Sequence, residues 1–275
     1  MDDKLIEIAH DLRVDMLKMF YLANTGHMAP AFSCIDILTE LYFEPVINWK
    51  KRFSEDRDRV ILSKGHACAA LYVVLARAEY FSREELVTFY KRDSRLNGHP
   101  DISLPGIETA TGSLGHGICF GTGTAMAAKL DGATYRTYVV VGDGEIQEGS
   151  VWEAAMFASK QKLGNLTVIV DCNKLQASDW VSNISELNPI EEKWKSFGWN
   201  VLSVNGHDFS ELRDAFTKAK KSVDVPTIII ANTIKGKGIS FVEKKVEWHC
   251  GVPKGEEWVD ACHDLNISFE ELKTL

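Results

Sequence analysis

The sequence has no surplus of positive charge, no Cys-x-x-Cys pair and no long apolar run, and each absence closes off a class of function. With 31 lysines and arginines against 39 aspartates and glutamates, a net charge of −8, it lacks the basic footprint that a nucleic-acid surface needs. Its six cysteines, at 34, 68, 119, 172, 250 and 262, are scattered. They form no disulfide framework, and buried free thiols in a reducing cytosol are the simplest account of them. The pairs His249-Cys250 and Cys262-His263 come nearest to a zinc set and miss its spacing. No stretch is apolar for long enough to span a bilayer, and the opening MDDKLIEIAHDLR is charged where a signal peptide would be greasy. No linker, low-complexity tract or internal repeat interrupts the 275 residues, so the expectation is a cytoplasmic protein forming one domain over residues 1–275.

What is present is alternation of strand and helix. The organising stretch is residues 139–176, VVVGDGEIQEGSVWEAAMFASKQKLGNLTVIVDCNKLQ. Two short β-branched runs, residues 138–141 and 166–170, end at Gly142 and Asp171 and read as buried parallel strands. Between them residues 151–163 have helical spacing, which makes the unit a βαβ crossover. The carboxyl ends of such strands form the ligand crevice, so Asp143 and Asn173 are expected at one sheet edge. An acid, an amide and a nearby backbone carbonyl, that of Leu175, suit Mg²⁺ (or Ca²⁺ or Mn²⁺), which takes oxygen ligands and completes its shell with phosphate and water. Gly142 and Gly144 let the chain approach a bulky anion, and the N–H groups that open the next helix favour phosphate. The competing reading is an ordinary tight turn.

The rest of the chain extends the pattern. A helix is expected over residues 5–22, then the turn Asn24-Thr25-Gly26-His27, then a helix capped by Ser33 and running to Phe43. Residues 49–59 read as a polar surface connection and residues 60–63 as a strand that delivers Lys64-Gly65-His66 to the ligand edge. Helices are expected over residues 67–79 and 82–90. Residues 109–130 read as an apolar helix carrying Gly112, Gly115, Gly117, Gly121 and Gly123. Each glycine costs a helix about 1 kcal/mol relative to alanine, so five imply close packing on a partner or a cofactor. A dinucleotide loop does not fit, because no strand precedes it. Helix, strand, helix and strand follow over residues 189–197, 200–204, 209–220 and 227–231, then a basic turn with Lys235, and a short helix near Ser268. The fold class expected is α/β, a doubly wound, mostly parallel sheet flanked by helices.

The GDG turn, the helix and the strand closing on Asn resemble the thiamine diphosphate motif. GDGEIQEGSVWEAAMFA with KLGNLTVIVDCNKLQ is similar to its transketolase form. ANTGH, SKGHA, NGHPD, GSLGHG and VEWHCG resemble further transketolase elements in the same order, over nearly the whole chain. Only the amino-terminal half of a full transketolase is covered, so the resemblance is to the N-terminal subunit of a split enzyme. It implies thiamine diphosphate with Mg²⁺ as cofactors and a separate C-terminal subunit, two copies of each, acting on sugar phosphates. His27 and His99 are implied to contact substrate hydroxyls or shuttle protons, and His66 and His249 to lie against the diphosphate and the reacting carbon. Imidazole suits such proton traffic at neutral pH. Gly112 and Leu114 are implied to line the cofactor, with Gly142, Asp143, Gly144, Glu145 and Asn173 around its diphosphate. Glu148 and Glu153 are implied at the subunit interface, though carboxylates opening a helix are favoured by its dipole in any case.

Of three departures from the family pattern, two bear on substrate and the third, at His116, is neutral. Met28-Ala29-Pro30 follows His27 where the family has a glycine-containing turn, and Ala177-Ser178-Asp179 replaces isoleucine-aspartate-glycine. His116 stands where full-length enzymes carry glutamine. The first two flank the sugar channel and leave open an unusual sulfonated or branched ketose. A deoxyxylulose phosphate synthase-like or keto-acid dehydrogenase-like subunit, and a regulatory binding protein that kept the fold, are the remaining alternatives.

Overall fold

A computed structural model describes residues 2–44, 46–47 and 51–275. Trp49 and Lys50, in the polar connection expected over residues 49–59, lie outside the described residues.

Among the described residues, five strands form one all-parallel sheet: β1 (Arg59–Leu62), β2 (Thr137–Gly142), β3 (Leu166–Cys172), β4 (Asn200–Asn205) and β5 (Thr227–Asn232), in the order β1-β2-β3-β5-β4. The apolar runs of β1, β2, β3 and β5 are buried, which is why they carry few polar residues, whereas the edge strand β4 stays partly exposed. On one face Leu62, Tyr138, Val140, Ile169 and Ile229 pack under α1 (Asp2–Ala23), α2 (Met28–Phe43), α3 (Cys68–Arg77) and α8 (Phe209–Lys220). On the other, Ile61, Val139, Val141, Val168 and Ile228 pack under α4 (His116–Asp131), α5 (Gly149–Lys160) and α7 (Ile190–Ser196). The period-two split between the faces makes the sheet doubly wound.

Four local expectations are corrected. The second helix starts at Met28, and Ser33 lies within it. Pro30 sits in the first turn, where a missing N–H costs nothing, and the Ser33 hydroxyl bonds Asp171 at 2.5 Å. The glycine-rich helix starts at His116, because Gly112 (φ 142°) and Gly115 (φ 81°) hold conformations foreign to a right-handed helix. Residues 82–90 form only a 3₁₀ segment, Arg83–Thr88, too short to propagate α-turns. In the tail, α9 (Glu257–Asp264) precedes the expected Ser268-capped α10 (Phe269–Leu272); its Trp258 meets Tyr21 of α1 edge to face at 5.1 Å. The remaining helix, α6 (Val181–Ile184), is a single turn between β3 and α7.

The close packing inferred from the glycines is real, but its object is this chain's own sheet and loops. A Cβ on Gly117 would come within 2.7 Å of the Ser63 Cα, and one on Gly121 would strike Val139.

Candidate functional site

The carboxyl ends of β1, β2, β3 and β5 converge on one cleft of about 260 Å³. β2 and β3 are neighbours, with Gly142 in register with Asp171, so Asp143 and Asn173 emerge side by side and both line the cleft. Asp143 accepts from Gly144 N–H at 2.8 Å and Lys174 N–H at 2.5 Å. Burial holds its carboxyl up at about 6, and the backbone donors only partly offset this. A divalent cation would relieve that strain by favouring the ionised form. The Asn173 amide is oriented by its nitrogen, which donates to Asp171 at 3.2 Å and Ser33 at 3.3 Å. Its oxygen accepts Leu175 N–H at 3.1 Å and keeps a lone pair. Carboxylate, amide oxygen and the nearby Leu175 carbonyl make an all-oxygen set that fits a hard cation.

Asp171, fully buried at the end of β3, anchors this floor. It pairs with buried Lys64 and accepts from Ser33 and Thr233. Burial would raise its pKa, but the Lys64 ammonium outweighs that and holds it low. The same pairing raises the Lys64 pKa against the opposing effect of burial. Neither Asp171 nor Lys64 stood among the sequence-derived site residues. The available signal was a lone acid in the buried run Val168-Ile169-Val170-Asp171, which requires a buried base.

Four histidines crowd the cleft mouth. Ring centroids lie 5.5 Å apart for His27 and His66, 5.7 Å for His27 and His249, 5.1 Å for His66 and His249, and 6.3 Å for His27 and His99. They arrive from unrelated places: the start of α2, the end of β1, the 246–252 segment and the loop before residue 109. Gly251 N–H donates to Gly26 O at 2.9 Å and draws His249 beside His27. His99 does not line the cavity; it stands behind Gly112, where a Cβ would come within 2.7 Å of its ring. Burial lowers the pKa of His27, with His99 and Lys235 adding to the effect. Burial, then Lys64 and the neighbouring imidazoles, lowers His66 further, and burial followed by Lys235 brings His249 to about 3. These three are therefore neutral at pH 7 and able to donate and accept at once. His27 Nδ1 is buried without a hydrogen-bond partner, a polar atom left for a ligand.

Lys235 enters from beyond β5, where the sequence showed only a basic turn. Its ammonium donates to Gln176 O at 2.8 Å, contacts His249 Nδ1 at 2.9 Å and lies 3.4 Å from Leu175 O. Burial, then Lys64, lowers it to about 8, so it still carries positive charge at neutral pH.

Gly112, Leu114, Gly142, Gly144 and Glu145 also line the cleft. The Glu145 carboxylate, expected to face the cofactor, is turned into the wall. It accepts from Gly115 N–H and Gly142 N–H at 3.0 Å each and from the Ser63 hydroxyl. Glu148 and Glu153 are exposed at the start of α5 and do not line the cleft. Near them, Phe120, Met156 and Phe157 expose large apolar side chains on the outer faces of α4 and α5.

An all-parallel sheet whose strand ends combine a glycine-flanked acid, an oriented amide and neutral imidazoles defines a thiamine diphosphate-binding α/β enzyme module. A family model described as "Transketolase, thiamine diphosphate binding domain" matches residues 1–270. The chain is 41% identical over 262 residues to one of the subunits of apulose-4-phosphate transketolase from Phocaeicola vulgatus, covering 95% of this chain and 93% of the relative. It is 37% identical over 270 residues to 6-deoxy-6-sulfo-D-fructose transketolase subunit SqwG of Clostridium sp., covering 96% and 98%. Human transketolase is 40% identical over 248 residues, but the match takes 89% of this chain and only 39% of that protein. The crystal structure of Campylobacter jejuni transketolase superposes with a TM-score of 0.89 at 35% identity, over 96% of this chain and 43% of that one. The chain belongs to the transketolase family, as a transketolase-like N-terminal subunit.

Proposed function

We propose that this chain holds the diphosphate end of thiamine diphosphate through Mg²⁺ and, joined by a separate C-terminal subunit, transfers a two-carbon ketol unit from a ketose phosphate to an aldose acceptor. The observation that carries the proposal is the delivery of Asp143 and Asn173 from adjacent strand ends into the cleft that also receives His27, His66 and His249, with His99 behind Gly112. Asp143, the Asn173 amide and the Leu175 carbonyl would hold the ion. When bound, the cofactor supplies the nucleophilic carbon that cleaves the ketose beside its carbonyl. Neutral His27, together with His99, holds the sugar hydroxyls and passes protons at their oxygens, while His66 and His249 face the diphosphate and the reacting carbon. The Lys235 ammonium adds a positive charge beside His249 and suits an anionic tail.

The family resemblance implies that the acid serving the aminopyrimidine ring lies in the C-terminal half, which this chain does not match. Exposed Phe120, Met156 and Phe157, with Glu148 and Glu153 close by, support a partner seated on α4 and α5. Two copies of each subunit would complete two sites. Relatives named for apulose-4-phosphate and for 6-deoxy-6-sulfo-D-fructose, and the small Ala177 lining the cleft, favour a ketose outside the common set.

The test mixes the chain with its C-terminal partner, thiamine diphosphate and Mg²⁺ and assays ketol transfer over a panel of linear, branched and sulfonated ketoses. Transfer that requires both chains is the expected result. Transfer by this chain alone, or none by the saturated mixture with any ketose, contradicts the proposal.

A further inference from the structure

Behind the cleft, three side chains that no motif singles out form a partly buried chain of contacts around the buried Asp36. Arg13 of α1 donates to both Asp36 oxygens, at 2.9 and 2.7 Å. Asp36 of α2 lies 2.6 Å from His207 Nδ1, and His207 Nε2 accepts the Ile234 N–H at 2.8 Å. A ring nitrogen that accepts from a backbone amide carries no proton, so the imidazole proton sits on Nδ1 and is donated to Asp36. Asp36 remains ionised to receive it. Burial alone would raise its pKa, but the Arg13 charge and the His207 hydrogen bond outweigh burial and bring it to about 2. The residue after Ile234 is Lys235, whose ammonium meets His249 in the cleft.

We propose that His207 is a positioning residue for the cleft: by accepting the Ile234 N–H it fixes the direction of residues 233–238 as they leave β5, and so sets the Lys235 ammonium against Gln176 O and His249. The segment has little stiffness of its own, since Gly236 (φ 79°) and Gly238 (φ 100°) both hold left-handed backbone that other courses could also use. Its path is therefore imposed by bonds. Thr233 N–H donates to Cys172 O at 3.2 Å and Gly236 N–H to Ala29 O at 3.1 Å. Arg13 Nε donates to Lys237 O at 3.2 Å, so the guanidinium that holds Asp36 also grips the far end of the segment. Between these points the Ile234 amide depends on a side chain contributed by the turn before α8. Without that acceptor a shielded N–H loses its partner, at a cost of about 1–3 kcal/mol, and the segment relieves the cost by swinging toward water. Lys235 moves with it. Only the relevance of Lys235 to a diphosphate rests on the proposed function; the positioning itself does not.

The experiment compares the full chain with His207→Leu, which removes the acceptor, and His207→Gln, whose amide oxygen can replace Nε2. Each is treated with a small amine-reactive acylating reagent at one fixed pH, and labelling of individual lysines is followed by mass spectrometry. Lys64, equally buried but fixed by Asp171, is the internal control. The expected result is faster labelling of Lys235 in His207→Leu by about tenfold, the local-opening counterpart of one unmet hydrogen bond, with Lys64 unchanged and His207→Gln close to wild type. Equal acceleration at Lys64 and Lys235 would mean general loosening and would overturn the proposal, as would no acceleration at Lys235. Should His207→Leu fail to fold, ¹⁵N-resolved spectra of the wild-type chain decide. Coupling between the Ile234 amide and His207 Nε2 across the hydrogen bond is expected, and its absence overturns the assignment. No cofactor enters these measurements, so their failure leaves the proposed function standing.

Discussion

Glu145 accepts the Gly115 N–H and the Gly142 N–H at 3.0 Å each, tying the loop that carries Gly112 and Leu114 to the end of β2. With the Ser63 hydroxyl donating to the same carboxylate, three donors converge on one group that has no donor of its own. Glu145→Gln is nearly isosteric but turns an N–H₂ toward these donors. The expected loss is about 1–3 kcal/mol in urea unfolding, with faster proteolysis of residues 109–115. A Gln variant as stable as wild type would contradict this role.

Two glycines of α4 give opposite expectations. Gly117→Ala places a methyl group 2.7 Å from the Ser63 Cα, where backbone must yield, and should destabilise by roughly 1–3 kcal/mol through overpacking. At Gly123 a Cβ would meet nothing within 4 Å, and the backbone has no positive φ, so Gly123→Ala should gain about 0.5–1 kcal/mol from helix propensity. Paired denaturant melts check both signs. Equal effects would show that α4 is not seated on the sheet as described.

Glu40, buried on α2 with neither oxygen hydrogen-bonded, has its carboxyl raised to about 7. Burial is the main cause, Arg213 offsets part of it, and Glu44 and Asp2 add to it. A carboxyl raised in the folded state contributes stability that is fully present below its unfolded pKa and is lost as pH climbs through its folded pKa. Between about pH 4.5 and 7 the wild type therefore loses stability that Glu40→Gln retains. The Tm of Glu40→Gln should match wild type near pH 4.5 and exceed it at pH 8. A gap that shrinks as pH rises would reverse the assignment.

The sheet was legible because the strands are short β-branched runs, β2 to β5 ending near Gly, Asp or Asn and β1 at Ser63-Lys64, and because helical spacing fills the gaps between runs. Asp143 and Asn173 were legible for the same reason: a strand end is a place in a linear pattern, and parallel neighbours share an edge. The start of α2 was misread because Ser33 is a good cap in isolation, whereas its hydroxyl is needed by Asp171, distant in sequence. Nothing local revealed that Glu145 turns inward, since the Gly115 and Ser63 donors belong to other segments. The contact of Lys235 with His249 depends on how the segment beyond β5 meets the strand-like bridge between His27 and Gly251, which no pattern along the chain encodes.

The central claim is that Asp143 and Asn173 grip one divalent ion and, through it, the diphosphate. It is tested most directly by calorimetric titration of thiamine diphosphate, at saturating Mg²⁺, into the chain paired with its C-terminal subunit, for wild type and Asp143→Ala. Losing even an outer-shell partner of a metal commonly costs 10–100-fold in affinity, so Asp143→Ala should bind at least about tenfold more weakly and should respond little to Mg²⁺. Undiminished, Mg²⁺-dependent binding by Asp143→Ala would contradict the account.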